Sequence, residues 1–242
     1  GLSEGVMEEI IPILREGLTR LGLPDAERAA EMLGIYARRL TEYNEKVNLT
    51  AITDPKEIAT KHFLDCAACA AYIPQGSRCA DVGTGAGFPG MVLAIVRPDL
   101  ELVLFDSLQK RLNFLEELAQ ELGVRVRCVH SRAEDAGQSP LYREKFDIAL
   151  SRAVARMSVL AELTLPLVKT GGTLIALKGP EAEKELKEAR GALRILGAGA
   201  SAVEPSEAFD GQQHSFVLVR KQKPTPKGYP RKAGTPARQP LK

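Results

Sequence analysis

After Asp210 the 242-residue chain contains no Asp or Glu. Over the same stretch Arg220, Lys221, Lys223, Lys227, Arg231, Lys232, Arg238 and Lys242 supply eight positive charges. The whole-chain figure, 33 Lys and Arg against 31 Asp and Glu for a net charge of +2, hides this asymmetry. Without those eight, 25 cations face 31 acids, so the body carries −6 and the end +8. A split of that kind implies an anionic partner met mainly at one end.

Other features are scarce or missing. Four cysteines (Cys66, Cys69, Cys79 and Cys128) are too few for a disulfide scaffold at this size and read as cytosolic thiols. No apolar run approaches the roughly 18 residues that span a bilayer. The first residues, GLSEGVMEEIIPIL, carry acids where a secretory leader needs basic residues, and they show no small-residue cleavage pattern. The expectation is a cytoplasmic protein without a membrane partner. There is no internal repeat. Hydrophobic residues at 44% and charged residues at 26% are ordinary globular values, which excludes a disordered or collagen-like chain. At roughly 150 residues per domain, the length allows one large domain or one with a helical extension.

The first 75 residues read as helical. Leu2, Val6, Ile10, Ile11, Ile13, Leu14 and Leu18 recur near helical spacing, and Pro24-Asp25 opens a second stretch ending near Asn44. Asp54 is placed to cap a further helix with Pro55 at its first position, and residues 61–72 continue helically until Pro74. After Gly76 short apolar runs alternate with amphipathic segments. Residues 78–82, 101–105, 125–129, 146–150, 173–177 and 215–219 read as strands, and residues 108–122 as a helix with Leu112, Leu115, Leu118, Ala119 and Leu122 on one face. Alternation of this kind predicts an α/β fold, a Rossmann-like, doubly wound and mostly parallel sheet. Residues 197–203 and 215–219 leave no room for a helix between them, which predicts an antiparallel hairpin at or near a sheet edge. Beyond Lys221 the chain reads as an extended basic arm. The expected organisation is a helical region over residues 1–74, a Rossmann-like domain over 75–221 and a basic arm over 222–242.

The strongest motif is Asp81-Val82-Gly83-Thr84-Gly85-Ala86-Gly87-Phe88-Pro89-Gly90, directly after the first strand. Glycines let a backbone turn sharply and approach a ligand, and a following helix N-terminus offers unpaired N–H groups. Asp106, about 20 residues on, ends the next strand, where an acid accepts from ribose hydroxyls. The bland alternative is a tight strand-to-helix turn with no ligand. Two nucleoside ligands compete. Gly85, Gly87 and Gly90 satisfy G-x-G-x-x-G, so a dinucleotide dehydrogenase is one reading. S-adenosyl-L-methionine is the other, because Asp81 before the first glycine suits the ammonium of a methionine moiety and would repel a pyrophosphate.

Further segments stand in order along the chain: Asn48-Leu49-Thr50-Ala51-Ile52-Thr53, Lys61-His62-Phe63-Leu64-Asp65, residues 81–89, Asp106-Ser107-Leu108 with Lys110-Arg111, Arg132-Ala133-Glu134-Asp135, Ser151-Arg152-Ala153-Val154-Ala155, Ala176-Leu177-Lys178-Gly179, and Tyr229-Pro230-Arg231-Lys232-Ala233-Gly234-Thr235-Pro236. Together they resemble the RsmG (GidB) family of bacterial small-subunit ribosomal RNA methyltransferases, over nearly the whole chain. The resemblance implies a class I S-adenosylmethionine-dependent methyltransferase fold. It also implies methylation of guanine N7 in 16S rRNA, in the loop near the decoding centre. The partner would be 16S rRNA or a small-subunit precursor, met by a monomer. It further implies cofactor contacts at Asp81, Gly83, Gly85, Phe88, Asp106, Ala133, Glu134 and Arg152. One departure is Cys66, which follows His-Phe-Leu-Asp where the family has a small residue such as serine.

Guanine N7 carries a free lone pair and no proton, so methyl transfer to it requires no general base. The enzyme must instead align the reacting atoms and exclude water, which accords with the lack of a nucleophile–base constellation. Arg152 and Lys178, each just after a strand, are expected to hold the guanine or its phosphate, and His62 to position substrate. Solvated surface cations and a core histidine are the plain alternatives. Cys66-x-x-Cys69 reads as two buried thiols on one helix face, since no second ligand pair follows at zinc-finger spacing. Asn48 reads as a cap or turn residue. Tyr229 among Lys227, Arg231 and Lys232 suggests phosphate contacts with one stacking surface. Two alternatives stay open: a nicotinamide-dependent oxidoreductase, and a nucleotide-sensing RNA-binding module without turnover.

Overall fold

The computed structural model describes residues 2–46, 49–50, 54–152, 155–206 and 209–242. Helices α1 (Leu2–Arg20) and α2 (Ala26–Asn44) pack together because each presents an apolar stripe at helical spacing. Val6, Ile10, Leu14 and Leu18 on α1, with Ala29, Ala30, Leu33, Tyr36, Ala37 and Leu40 on α2, are all buried. Asn48, expected to turn the chain after α2, lies outside the described residues. In the adjoining segment the Asn44 side chain accepts from the Leu49 and Thr50 amides at 2.6 and 2.9 Å. The short α3 (Pro55–Glu57) begins as its sequence predicts, with the Asp54 carboxylate accepting from the Glu57 amide at 3.2 Å and Pro55 in the first turn.

Residues 61–72 do not form one uniform helix. The backbone widens into a π-helix (Ile58–Leu64), returns to α4 (Asp65–Ala68) and tightens into a 3₁₀ turn (Cys69–Tyr72). Such π segments are rare and occur often at functional sites. Cys66 and Cys69 are buried there as free thiols.

An alternating α/β unit follows: β1 (Arg78–Val82), α5 (Gly90–Val96), β2 (Glu101–Asp106), α6 (Gln109–Leu122), β3 (Val126–His130), α7 (Ala133–Gln138), β4 (Phe146–Arg152), α8 (Met157–Thr164), β5 (Val168–Lys178), α9 (Ala182–Glu188), α10 (Arg190–Leu196), β6 (Ala198–Pro205) and β7 (Ser215–Lys221). They build a seven-stranded sheet in the order β3-β2-β1-β4-β5-β7-β6. The first five strands run parallel, and β7 lies antiparallel between β5 and its hairpin partner β6. The expected hairpin is thus present, with β6 at the edge. Chain order reverses between β1 and β4, and the crevice outside their carboxyl ends is where doubly wound sheets bind ligands.

Alternation along the strands divides the core. Ile148 and Leu150 join the large cluster formed with α1, α2, α5 and α6, while Ala149 joins the cluster under α8, α9 and α10. The N-terminal helices therefore share one core with the sheet. Among the described residues no helix is long and apolar enough to cross a membrane.

The segment after Lys221 differs from the extended arm its composition suggests. It lies against the body and closes with a one-turn helix, α11 (Thr235–Arg238). Long-range polar contacts, invisible to composition, fix it there. The Arg143 guanidinium donates to the carbonyls of Thr225 and Tyr229 at 2.8 and 2.6 Å. Arg231 forms a two-pronged ion pair with Glu162, which is fully buried. Lys221 is also buried, donating to the Leu165 and Val168 carbonyls and lying 3.2 Å from Glu144. Two of the eight cations at this end are therefore neutralised internally, leaving Lys227, Lys232 and Arg238 among those exposed.

Candidate active site

The glycine loop runs from the end of β1 to the start of α5, directly at the switch point. Its glycines do different work. Gly83, Gly85 and Gly87 have φ of +71°, +57° and +103°, values that disfavour any side chain. A Cβ on Gly87 would collide with the Tyr36 hydroxyl, Leu115 and Met91, and one on Gly90 with Leu104 and Asp81. A Cβ on Gly85 would meet only the Gly83 carbonyl, at 4.0 Å, so this glycine keeps the loop's open side bare. The loop is braced from outside by Tyr36 of α2, whose hydroxyl donates to the Ala86 carbonyl. Nothing in the sequence singles Tyr36 out within an otherwise ordinary helix face.

Three acids stand at this edge, and each accepts a backbone N–H. Asp81 Oδ2 accepts from the Gly90 amide at 2.8 Å and the Thr84 hydroxyl at 2.7 Å. Asp106 accepts from the Gly85 and Leu108 amides at 2.8 and 2.9 Å, with Arg111 at 3.5 Å. Glu134, behind Ala133 at the start of α7, accepts from the Gly234 amide at 2.7 Å and lies 3.3 Å from Arg132. A family-derived contact of Glu134 with an adenine must therefore share that carboxylate with the C-terminal segment.

These contacts decide between the two nucleoside readings. The Gly90 amide at the head of α5 is occupied by Asp81, and a pyrophosphate there would face a carboxylate. Gly87 and Gly90 are explained by packing, so the G-x-G-x-x-G match is no dinucleotide site. S-adenosylmethionine fits instead. Asp81 Oδ1 is buried with no hydrogen-bond partner among the described residues, an acceptor suited to a cationic ligand. Burial pushes the Asp81 carboxyl up to about 7, against the pull of Thr84 and Gly90. Leu108, two residues past Asp106, is 49% exposed and offers an apolar surface beside that acid. Its signal in the sequence was a large apolar residue two positions after a strand-end acid.

Across the switch point the edge carries cations. Arg152 at the end of β4 donates to the Lys61 carbonyl at 3.3 Å, to Cys66 Sγ at 3.3 Å and to His62 Nδ1. Its guanidinium also lies 5.3 Å from the Phe88 ring centre. Three of its five N–H groups are thus committed to the π-helix and α4, and the remainder leave it competent to meet a ligand.

His62 and Phe88 take places other than those expected. The His62 ring is buried and stacks on Phe88 with centres 4.5 Å apart. Its Nδ1 accepts from Arg152, so the ring proton is assigned to Nε2, 3.4 Å from the Thr50 hydroxyl. Burial, with the Arg152 and Lys61 charges, lowers the imidazole to about 3. His62 is therefore a neutral imidazole that accepts from Arg152. The Phe88 ring is likewise spent on the junction with the N-terminal helices, against His62, Phe63 and Tyr36.

Lys178 also departs from expectation. Its side chain is only 8% exposed, and its ammonium donates to the Ala155 carbonyl and pairs with Glu185 at 3.1 Å. With those partners inside the protein it does not reach out to a guanine or a phosphate.

The sequence matches the family model GidB, described as rRNA small subunit methyltransferase G, over residues 29–215. It is 48% identical over 224 residues to ribosomal RNA small subunit methyltransferase G of Desulfitobacterium hafniense, covering 92% of this chain and 93% of that protein. The protein of the same name from Symbiobacterium thermophilum is 45% identical over 238 residues, covering 95% and 97%. Among solved structures, an S-adenosyl-L-methionine-dependent methyltransferase of Methanococcus maripaludis superposes with a TM-score of 0.53 at 13% identity, covering 79% of this chain and 94% of that one. An O-methyltransferase of Klebsiella pneumoniae gives the same TM-score at 15% identity, covering 78% and 90%. These two share the fold, a class I methyltransferase sheet with flanking helices. With half-identical relatives along nearly its whole length and a sheet whose switch point is built for an adenosyl ligand, the chain belongs to the GidB family.

Proposed function

We propose that the protein transfers the methyl group of S-adenosylmethionine to N7 of a guanine in the decoding-region loop of bacterial 16S rRNA. What carries this assignment is the edge of three acids, Asp81 and Asp106 at strand ends and Glu134 at the head of α7, each accepting from a backbone amide. Groups held that way are stationary acceptors for hydroxyl and ammonium groups. Guanine N7 has no proton to lose, so none of them has to act as a general base.

The cofactor, when bound, supplies a methyl group on a sulfonium. Asp81, Gly83 and Gly85 would hold its methionine end, Asp106 the ribose, and Leu108, Ala133 and Glu134 the adenine. Arg152, anchored by His62, would orient the target guanine from the β4 side. The glycine loop is held against the N-terminal helices by Tyr36 and Phe88. A loop guanine is the reachable target, because duplex major grooves of RNA are too narrow to read.

On this view the chain works as a monomer in the cytoplasm, on 16S rRNA or a precursor of the small subunit. Residues 1–74, 75–221 and 222–242 serve as helical region, catalytic domain and basic arm. Exposed Lys227, Lys232 and Arg238 give the arm its phosphate contacts. The test is incubation with methyl-labelled S-adenosylmethionine and small-subunit RNA, followed by mapping of the label. Label at one guanine N7 is expected; binding of RNA without transfer would leave only a binding module.

A further inference from the structure

Lys178 and α9 form a clamp on the loop that follows β4. Three consecutive residues, the last two of that loop and the first of α8, are tied to them. The Lys178 ammonium donates to the Ala155 carbonyl, Arg156 pairs with Glu188 at 2.6 Å, and the Met157 amide donates to Glu185 at 3.0 Å. Glu185 in turn pairs with Lys178 at 3.1 Å, and both side chains are nearly enclosed. Strand register fits the placement, since Arg152 lies opposite Leu177 and Lys178 is the next and last residue of β5. On the other side Arg152 is held by Lys61, His62 and Cys66. The segment is therefore tethered at both ends.

An enclosed ion pair adds little stability over an apolar pair of the same shape, because desolvation offsets the attraction. What Lys178 and Glu185 supply that apolar groups cannot is direction: one fixed donor for a carbonyl and one fixed acceptor for an amide, two residues apart. We propose that Lys178 is a positioning residue, which with Glu185 fixes the loop after β4 and so sets Arg152 for the approach of the guanine. The proposal rests on the methyltransferase assignment above.

Lys178→Met, Lys178→Arg and the double variant Lys178→Met/Glu185→Gln separate positioning from mere folding. They are assayed with S-adenosylmethionine and small ribosomal subunits lacking the methyl group, beside calorimetry with the cofactor and thermal melting. In Lys178→Met, kcat falls by about tenfold or more, as a loop displaced by an ångström would give. The cofactor Kd and the KM for the subunit stay within about twofold. Lys178→Arg, which reaches the same carbonyl, regains part of kcat. The double variant leaves no enclosed charge alone and still accepts from Met157, so it regains Tm but not kcat. Unchanged kcat in Lys178→Met, or recovery of kcat together with Tm in the double variant, overturns the proposal. So does a raised KM with a flattened salt dependence, which would make Lys178 a phosphate contact. A wild type that methylates no small-subunit RNA would overturn the methyltransferase assignment itself, and the clamp with it.

Discussion

On the β1–β2–β3 side of the switch point, charge is negative and is held by backbone N–H groups, as Gly90 holds Asp81, Gly85 holds Asp106 and Gly234 holds Glu134. On the β4–β5 side, charge is positive and is held by carbonyls and an imidazole, as Lys61 and His62 hold Arg152 and Ala155 holds Lys178. The first arrangement suits a cationic, hydroxyl-rich cofactor. In the second, Arg152 alone keeps N–H groups to offer an electron-rich base, since Lys178 is paired with Glu185. The contrast teaches that both sets of charges are held in place by their partners, so the site works by geometry.

The largest effect is expected where the anionic half meets the N-terminal helices. Gly87→Ala drives a Cβ into Tyr36, Leu115 and Met91 at a φ of +103°, and should cost more than about 3 kcal/mol of stability and abolish cofactor binding, by melting and calorimetry. Asp106→Asn replaces a carboxylate whose two oxygens each accept from an amide with a group that can accept from only one, and should weaken cofactor affinity by about 10- to 100-fold and lower stability by about 1–3 kcal/mol. Arg152→Lys tests the division itself. A lysine cannot serve Lys61, His62 and Cys66 at once, so kcat should drop about tenfold or more while cofactor Kd moves less than about twofold. If cofactor affinity collapses instead, Arg152 belongs to the cofactor half.

The two halves should also differ in pH. Burial raises Asp81 to about 7, and a cationic ligand favours its ionised form. Cofactor affinity should therefore fall as pH drops below 7, by up to about tenfold per unit, and Asp81→Asn should remove the dependence. His62, at about 3, stays neutral, so the Arg152 anchor should not titrate and kcat should be flat between about pH 5 and 8. The smallest effect lies outside the comparison. Replacing Lys227, Lys232 and Arg238 with Gln should flatten the log–log salt dependence of RNA binding by up to about 0.7 per lost phosphate contact.

The anionic half was readable in the sequence because its signals are local. Asp81, the glycines and Asp106 follow one another along two adjacent strands, and their spacing carries their chemistry. The strands, the edge hairpin and the Asp54-Pro55 helix start were legible for the same reason. The contacts between distant segments were not. His62 meets Arg152 across 90 residues, Glu162 meets Arg231 across 69, and Glu134 meets Gly234 across 100. A cation that follows a strand reads alike whether it faces ligand or a carbonyl; only the fold shows that Lys178 faces inward. Composition likewise gave the arm its charge, while the buried Glu162 that docks it is one acid among 31.

One measurement tests the account most directly. Small subunits lacking the modification are incubated with the protein and S-adenosylmethionine, and the RNA is then reduced and cleaved with aniline, which breaks the chain only at N7-methylated guanine. A single new cleavage in the decoding-region loop, absent without cofactor, is the predicted result. Methyl incorporation with no aniline-sensitive guanine, or none at all, would contradict it.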